Sequence, residues 1–447
     1  MKIELYEIVE EFIEKRDWQS IRRIISEESP PEIAELIMDL EKKSRVILFR
    51  IIPKELAAEA FSFLESRDQD LLLKDLTDQE TKGLLEELSP DDRTEIFGEL
   101  PGQATQRLLN LLSPKDLIEV RTLLGYPPES VGRLMTPDYV AVRPGWSIER
   151  AIDHIRRRGR DSETVNMIYV TDHSWRLLDA LELRRFILAD PGITVKDIMD
   201  YRFTVISPFA DREEAVKLIQ MYDLVAIPVV DSTGVLLGIV TVDDILDIAE
   251  EEVTEDFQKT AAVGPLRTSY AYASFWTLYS KRILWLMILI LVNLVSSSII
   301  ANFEATLAST IAFAFFIPLL IDSGGNAGAQ SATLMVRAIA TGDVKMTRWL
   351  ATFLKEIIVG ISLGVTMGVA SSLLGLFRGG LEIGLVVGIS MAAIVLVANL
   401  IGAMVPFVLT GLKLDPAVAS SPLITTIVDA TGLLIYFTIA RAILGGV

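Results

Sequence analysis

The sequence predicts a multidomain chain. It should hold an all-α superhelical N-terminal module, an α/β pair of repeats, a connecting helix, and an all-α membrane domain with five transmembrane helices. Three observations predict this. First, the 447 residues are 51% apolar yet carry a formal charge of −18, and the two excesses are segregated. Residues 258–447 hold 11 Lys/Arg against 7 Asp/Glu, whereas residues 1–257 hold 31 against 53. Second, helix-start signals recur at roughly twelve-residue steps through the first third of the chain. Third, a strand-and-helix pattern then occurs twice in tandem, the mark of an internal repeat. The domains are placed at residues 1–130, 131–250, 251–270 (the connecting helix) and 271–447.

The start signals of the first module are Pro53-Lys54-Glu55, Ser66-Arg67-Asp68, Thr77-Asp78-Gln79-Glu80, Ser89-Pro90-Asp91-Asp92, Pro101-Gly102-Gln103 and Ser113-Pro114-Lys115-Asp116. Several read as an N-cap hydroxyl with Pro at N1 or an acid at N3. Leu, Ile and Phe at helical spacing lie between them, which predicts a solenoid-like stack of short helices. A carboxylate in a first turn complements the helix dipole as well as it would a metal ion, so these acids carry two readings.

Composition narrows the chemistry. The chain has no cysteine and two histidines, His154 and His173, which excludes disulfides, thiolate sites and imidazole-rich metal sites. Any metal chemistry falls to oxygen ligands, and so to hard cations such as Mg²⁺ or Ca²⁺. So acidic a chain is expected to have no nucleic-acid partner. The N-terminus, MKIELYEIVEEFIEK, lacks a basic start followed by an apolar core, so no cleaved signal is expected.

From Leu134 the period changes. Short β-branched runs at 139–142, 167–170, 203–207, 225–231 and 235–244 alternate with amphipathic helices at 147–157 and 213–221. The two copies open with LMTP at 134–137 and DIMD at 197–200. A charged segment at 243–263 then reads as one helix ended by Gly264-Pro265. Five apolar runs follow at 283–300, 307–336, 357–377, 383–409 and 422–444, each of membrane-crossing length. Lys281, Arg282, Arg337, Lys345, Arg348, Lys355 and Lys413 fall on one side of these runs. By the positive-inside rule the head is cytoplasmic and the C-terminus external, in a multi-pass protein of the inner (plasma) membrane in contact with lipid.

Two of these runs contain polar groups that lipid would not tolerate. The last carries Asp429 near its middle, and an intramembrane carboxylate is by default a functional-site hypothesis. Gly432 lies on the same helical face and lets a neighbouring backbone approach. The second run contains Pro318, then Asp322-Ser323-Gly324-Gly325-Asn326-Ala327-Gly328-Ala329-Gln330-Ser331. This composition predicts either an interrupted helix bordering a wet cavity or a closely packed one. Asp322 and Asn326 favour the cavity. The expected pore-lining positions are Gly325, Asn326, Gly328 and Gly432.

Two resemblances add to this reading. The second strand-and-helix copy, Ile227-Pro228-Val229-Val230-Asp231 followed by Gly238-Ile239-Val240-Thr241-Val242-Asp243-Asp244, resembles a CBS (cystathionine β-synthase) domain, so the two copies look like a CBS pair. That likeness implies an adenine nucleotide with its ribose at Thr241 and Asp244. The first copy reads Asp179-Ala180-Leu181-Glu182-Leu183-Arg184-Arg185 where the motif should stand, and lacks its Gly, hydroxyl and acid. The whole chain, through GGNAGAQ and D-x-x-G-L-L-x-Y, resembles the MgtE family of Mg²⁺ channels and transporters. The resemblance implies a homodimer with a pore between the second and fifth spans, where Asp429 holds a hydrated Mg²⁺ and Thr425 adds a backbone oxygen. It also implies a cytosolic sensor for divalent cations. Its matching positions are Glu59, Asp91 and Glu95 in the N-module; Asp211, Glu213, Asp223, Asp244 and Asp247 in the second CBS copy; Glu252, Glu255 and Asp256 on the connecting helix; and Asp415.

The expected function is therefore Mg²⁺ import through a dimer-axis pore closed by cytosolic Mg²⁺, with no covalent chemistry and no P-loop for ATP drive. Two alternatives stand beside it: a Na⁺- or H⁺-coupled divalent cation transporter using an interrupted second span, and a membrane-anchored nucleotide or metal sensor.

Overall fold

The computed structural model describes residues 2–100, 102–266, 270 and 273–443. Pro101, Leu444 and the domain edges expected at 271 and 447 lie outside them. Two compact units result, Met1–Glu251 and Glu252–Val447.

The first unit opens with helices Lys2–Lys15 and Trp18–Ile25. Helices then start at residues 30, 42, 54, 66, 78, 90, 102 and 114, a constant step of 12. Pro30, Pro90 and Pro114 occupy N1 or N2, where the missing N–H has no intrahelical acceptor to lose. Thr77 and Glu80 form a reciprocal capping box. The same step carries the core, because Leu36, Leu48, Ala60, Leu72, Leu84, Ile96, Leu108 and Val120 are all buried. One apolar row therefore runs through the stack.

A second register is overlaid on the first. The fourth residue of alternate helices is a buried polar side chain that donates back to the helix before it. Arg45 Nε reaches Ile37 O at 3.0 Å, Gln69 Nε2 reaches Phe61 O at 3.3 Å, and Arg93 Nε reaches Leu85 O at 2.7 Å. Carbonyls of a last helical turn lack intrahelical donors, and these side chains supply them. The structural repeat is thus a helix pair of 24 residues.

The tandem copies fold as two small sheets. β1 (Ala141–Val142) pairs parallel with β2 (Met167–Thr171), which pairs antiparallel with β3 (Leu177–Glu182). β4 (Ala226–Val230) pairs antiparallel with β5 (Leu236–Thr241). The copies are knitted together where Thr136 N donates to Ile239 O and Ile239 N to Thr136 O, both at 2.9 Å. The strand expected at 203–207 is reduced to a bridge between Ile206 and Val229. The cause is a turn that begins at Ser207, whose carbonyl accepts from Ala210 N at 3.0 Å.

The connecting helix is one piece, Val242–Thr260, shorter than the 243–263 expected. Ala262 turns left-handed at φ 57. Val263 N then closes on Gln258 O and Ala262 N on Lys259 O, both at 2.9 Å. This is the Schellman closure that ends helices, made here without the usual glycine.

In the second unit, helices Phe275–Asn302, Ala312–Ala340, Met346–Gly411 and Ser421–Ile443 are each long and apolar enough to cross a membrane. The third contains a kink at Gly380, φ 79 and ψ −169, which folds it into an antiparallel hairpin. A Cβ on Gly375 would meet Gly384 Cα at 2.8 Å, one on Gly368 would meet Gly388 O at 2.8 Å, and one on Gly364 would meet Ala392 O at 2.6 Å. Small residues thus let the arms close, as helix pairs in lipid require. The two arms match the third and fourth apolar runs read from sequence. The second run needs a correction: Ala312–Ala340 is a continuous helix through Pro318 and all its glycines. Its composition serves close packing, and no break for an alternating site is present.

Candidate ion pathway and acidic cluster

The final helix, Ser421–Ile443, runs antiparallel to Ala312–Ala340. Gly325 faces the Thr425 side chain, Gly324 faces Val428, and Gly432 faces Ile321. A Cβ on Gly328 would lie 3.1 Å from both Ala398 O and Ile424 Cγ2. Gly325, Gly328 and Gly432 are therefore buried in helix–helix seams. Of the four positions expected to line a pore, Asn326 alone is exposed; the three glycines set helix separation.

The open face of Ala312–Ala340 is polar in its middle stretch, between the exposed Phe315 and Leu334. Asp322, Asn326, Gln330 and Thr333 are exposed along it at helical spacing. Asn326 Nδ2 donates to Asp322 Oδ2 at 3.3 Å. Asp429 is half-buried, at the helical level bracketed by Gly324–Val428 and Ile321–Gly432, and feels the charge of Asp322. Among the described residues no cation pairs with Asp429. Two carboxylates left without a counter-ion at this depth are poised to attract one. Thr425 Oγ1 donates to Pro422 O at 3.0 Å, which orients the hydroxyl and leaves its oxygen lone pairs free.

A second acidic site forms in the head. Asp91 sits in the first turn of Pro90–Glu99 and is 8% exposed, and its Oδ1 lacks a hydrogen-bond partner. Burial, then the Asp92 charge, pushes its carboxyl group up from the usual range. Asp244 is raised by burial and by Asp91 and Asp243. Glu163, although an exposed residue, is raised by desolvation of its carboxyl group and by Asp91, Asp243, Asp92 and Asp138. Asp92 and Asp138 are raised chiefly by burial. The nearest buried cation on the same helix, Arg93, is spent elsewhere, on Leu85 O, Leu88 O and Asp116. Asp92, Asp138, Glu163 and Asp243 were not singled out from sequence. Asp92 and Asp243 adjoin residues that were, whereas nothing in the local sequence marks Asp138 or Glu163. No described group of three or more acids is drawn tightly enough to hold an ion as it stands.

The other expected sensor residues are dispersed. Glu59, Glu95 and Asp247 are exposed, and Asp247 is raised by burial of its carboxyl group and by Glu250 and Asp243. Asp211 caps Arg212–Tyr222, accepting from Glu213 N at 2.9 Å, and Glu213 pairs with Lys217 at 2.9 Å. Asp223 ends that helix with φ 51. Glu252 and Asp256 lie half-buried on the connecting helix. Glu255 and Asp415 share Lys259, at 2.5 and 2.6 Å. Thr241 Oγ1 donates to Asp244 Oδ2 at 3.0 Å, so the two residues expected to hold a ribose lie side by side. In the first copy, Arg185 pairs with Asp200 at 2.6 Å and Asp179 is buried, accepting from Asp200 N and Tyr201 N. Neither position offers a nucleotide its usual acid.

Three family models match the chain: a divalent cation transporter model over residues 317–439, the MgtE intracellular N domain over 28–129, and the CBS domain over 131–190 and 195–251. The magnesium transporter MgtE of Thermus thermophilus is 41% identical over 98% of this chain and 98% of its own length. The protein of that name from Bacillus subtilis is 34% identical over 72% of this chain and 71% of its own. Among solved structures, the cytosolic domain of the Mg²⁺ channel MgtE in complex with ATP is 38% identical with a TM-score of 0.51, covering 54% of this chain and 98% of that one. The soluble part of a magnesium transporter is 25% identical with a TM-score of 0.54, covering 56% and 99%. The motifs, the tandem repeat and the helical unit converge with these likenesses on one conclusion: the chain belongs to the MgtE family of divalent cation transporters.

Proposed function

We propose that the protein imports Mg²⁺ through a pore on the axis of a homodimer in the plasma membrane, with its head in the cytosol and its C-terminus outside. The observation that carries this reading is Asp429, a carboxylate inside an apolar helix, near a second one and facing no cation. The exposed Asp322–Asn326–Gln330 face supplies the polar wall that a hydrated ion needs. Mg²⁺ dehydrates reluctantly, so a few carboxylate and carbonyl oxygens select it while it keeps several waters. The names of the relatives support Mg²⁺ as the cargo.

The head acts as the sensor. Carboxylates at Asp91, Asp92, Asp138, Glu163, Asp243 and Asp244 repel one another in the ion-free state, and divalent cations that bridge them favour a compact head. A ligand that binds one state better shifts the equilibrium toward it, so cytosolic Mg²⁺ closes the pore. The Thr241–Asp244 pair is also a place for an adenine nucleotide, a reading that the ATP complex of a relative's cytosolic domain supports. Glu59, Glu95, Asp211, Glu213, Asp223, Asp247, Glu252, Glu255, Asp256 and Asp415 are the further proposed sensor residues.

The test is flux in liposomes reconstituted with the full chain, across Mg²⁺, Mn²⁺, Co²⁺ and Ca²⁺, with internal Mg²⁺ varied. The reading requires entry that follows the Mg²⁺ gradient and falls as internal Mg²⁺ rises. Flux driven by a Na⁺ or H⁺ gradient instead would establish coupled transport.

A further inference from the structure

The ammonium of Lys259 stands between two carboxylates of the proposed sensor. Its Nζ lies 2.5 Å from Glu255 Oε1, one turn earlier on the connecting helix, and 2.6 Å from Asp415 Oδ2. Asp415 opens the short turn Pro416–Val418, and its other oxygen accepts from Ala417 N at 2.8 Å. All three side chains are about two-thirds to three-quarters shielded, at 26%, 31% and 33% exposure. Burial alone would lower the lysine, but the hydrogen bonds to Asp415 and Glu255 hold it well above its ordinary range. A cation thus already joins the connecting helix to the turn before the final helix, and it is part of the chain.

We infer that Lys259 is a tethered competitor for the divalent cation at Glu255 and Asp415, and that it sets the Mg²⁺ concentration at which the sensor responds. The inference rests on the Mg²⁺-sensing reading above. An ammonium makes directional hydrogen bonds with one charge, whereas Mg²⁺ takes oxygens at about 2.1 Å in an octahedron and brings two. The two cannot share this pair of carboxylates. Mg²⁺ therefore has to displace the lysine, which swings into solvent on its four-carbon stem. Up to that concentration the lysine offsets one of the two negative charges and holds the segment together, so monovalent conditions leave the site ordered but without its divalent ion. Lys259 positions the sensor ligands and determines affinity; it does not touch the permeating ion.

The experiment is Mg²⁺ flux in liposomes with the full chain, comparing wild type, Lys259→Gln and Lys259→Arg over a series of internal Mg²⁺ concentrations. Lys259→Gln is expected to lower the half-inhibiting concentration about fivefold, since one ion pair no longer has to be broken. Lys259→Arg, which keeps the charge, should stay near wild type. A merely structural role would move Lys259→Gln the other way, because a loosened segment needs more Mg²⁺ to order it. An unchanged or raised half-inhibiting concentration in Lys259→Gln, against a wild type that Mg²⁺ inhibits, overturns the inference and leaves sensing intact. A wild type that internal Mg²⁺ does not inhibit overturns sensing itself. Protease protection of the connecting helix against Mg²⁺ gives the same ranking of variants without relying on flux.

Discussion

Gly402 faces the carbonyl of Gly328 so closely that a Cβ on Gly402 would lie 2.1 Å from that oxygen. The backbone of the hairpin's second arm is thus pressed against the glycine segment of Ala312–Ala340, and no flexible side chain can give way. Gly402→Ala is expected to push the two helices apart and reduce Mg²⁺ flux about tenfold, by displacing the helix that carries the polar face. Gly145→Ala, whose added Cβ meets nothing within 4 Å, is the control and should leave flux unchanged.

Asp429 without a counter-ion makes a sharper forecast. Asp429→Ala should abolish Mg²⁺ flux while the protein still extracts and runs as the same oligomer, because removing an uncompensated intramembrane charge relieves a cost of a few kcal/mol. Asp322→Asn should lower flux less and shift divalent selectivity. Wild-type flux in Asp429→Ala would remove the pore reading.

The acidic cluster fixes a direction for pH. Asp91, Asp244 and Glu163 hold their protons in the folded head to higher pH than in the unfolded chain. Above the ordinary carboxylate range the folded state therefore binds more protons, and stability falls as pH rises. Thermal unfolding of the full chain should show the transition of the head moving down between about pH 5 and pH 8 and back up on adding Mg²⁺. Asp91→Asn should flatten both dependences. A transition that Mg²⁺ leaves unmoved at pH 8 would argue against ion bridging.

Arg93 tests the helix-pair register. It is 4% exposed, donates to Leu85 O and Leu88 O, and pairs with Asp116 and Glu119 at 3.2 and 3.4 Å. Arg93→Met should destabilise the head by about 3 kcal/mol, because carbonyls and carboxylates are both orphaned. Gln69→Leu, which removes one neutral donor, should cost about 1 kcal/mol. Equal effects in calorimetry would show that charge does not matter at these positions.

Much of the architecture was legible because the code was local. A hydroxyl or Pro at each helix start is a capping fact visible within four residues, and the MgtE and CBS likenesses rested on contiguous motifs. What escaped was non-local. The 24-residue register of Arg45, Gln69 and Arg93 is invisible until one knows that each side chain folds back on a carbonyl eight residues earlier. Asp138 and Glu163 join the acidic cluster only through tertiary packing. Pro318 and the glycines of the second apolar run fit an interruption as well as close packing, and Gly324, Gly325 and Gly328 serve approach by Ile394, Thr425 and Ala398. Composition alone does not tell a broken helix from a tightly packed one.

The bend at Gly380 bears on how the bilayer itself takes part in folding. Drawn straight, the 63 residues from Trp349 to Gly411 would form a rod of ~95 Å, roughly three times the thickness of the hydrocarbon layer. Such a rod would drag apolar side chains far into water on one side. The solvent therefore rejects the unbent form whatever residue occupies the corner, and the glycine only makes the corner easy to turn. The corner also decides topology, since a doubled-back rod returns the chain to the face it left and so fixes the side from which Ser421–Ile443 enters.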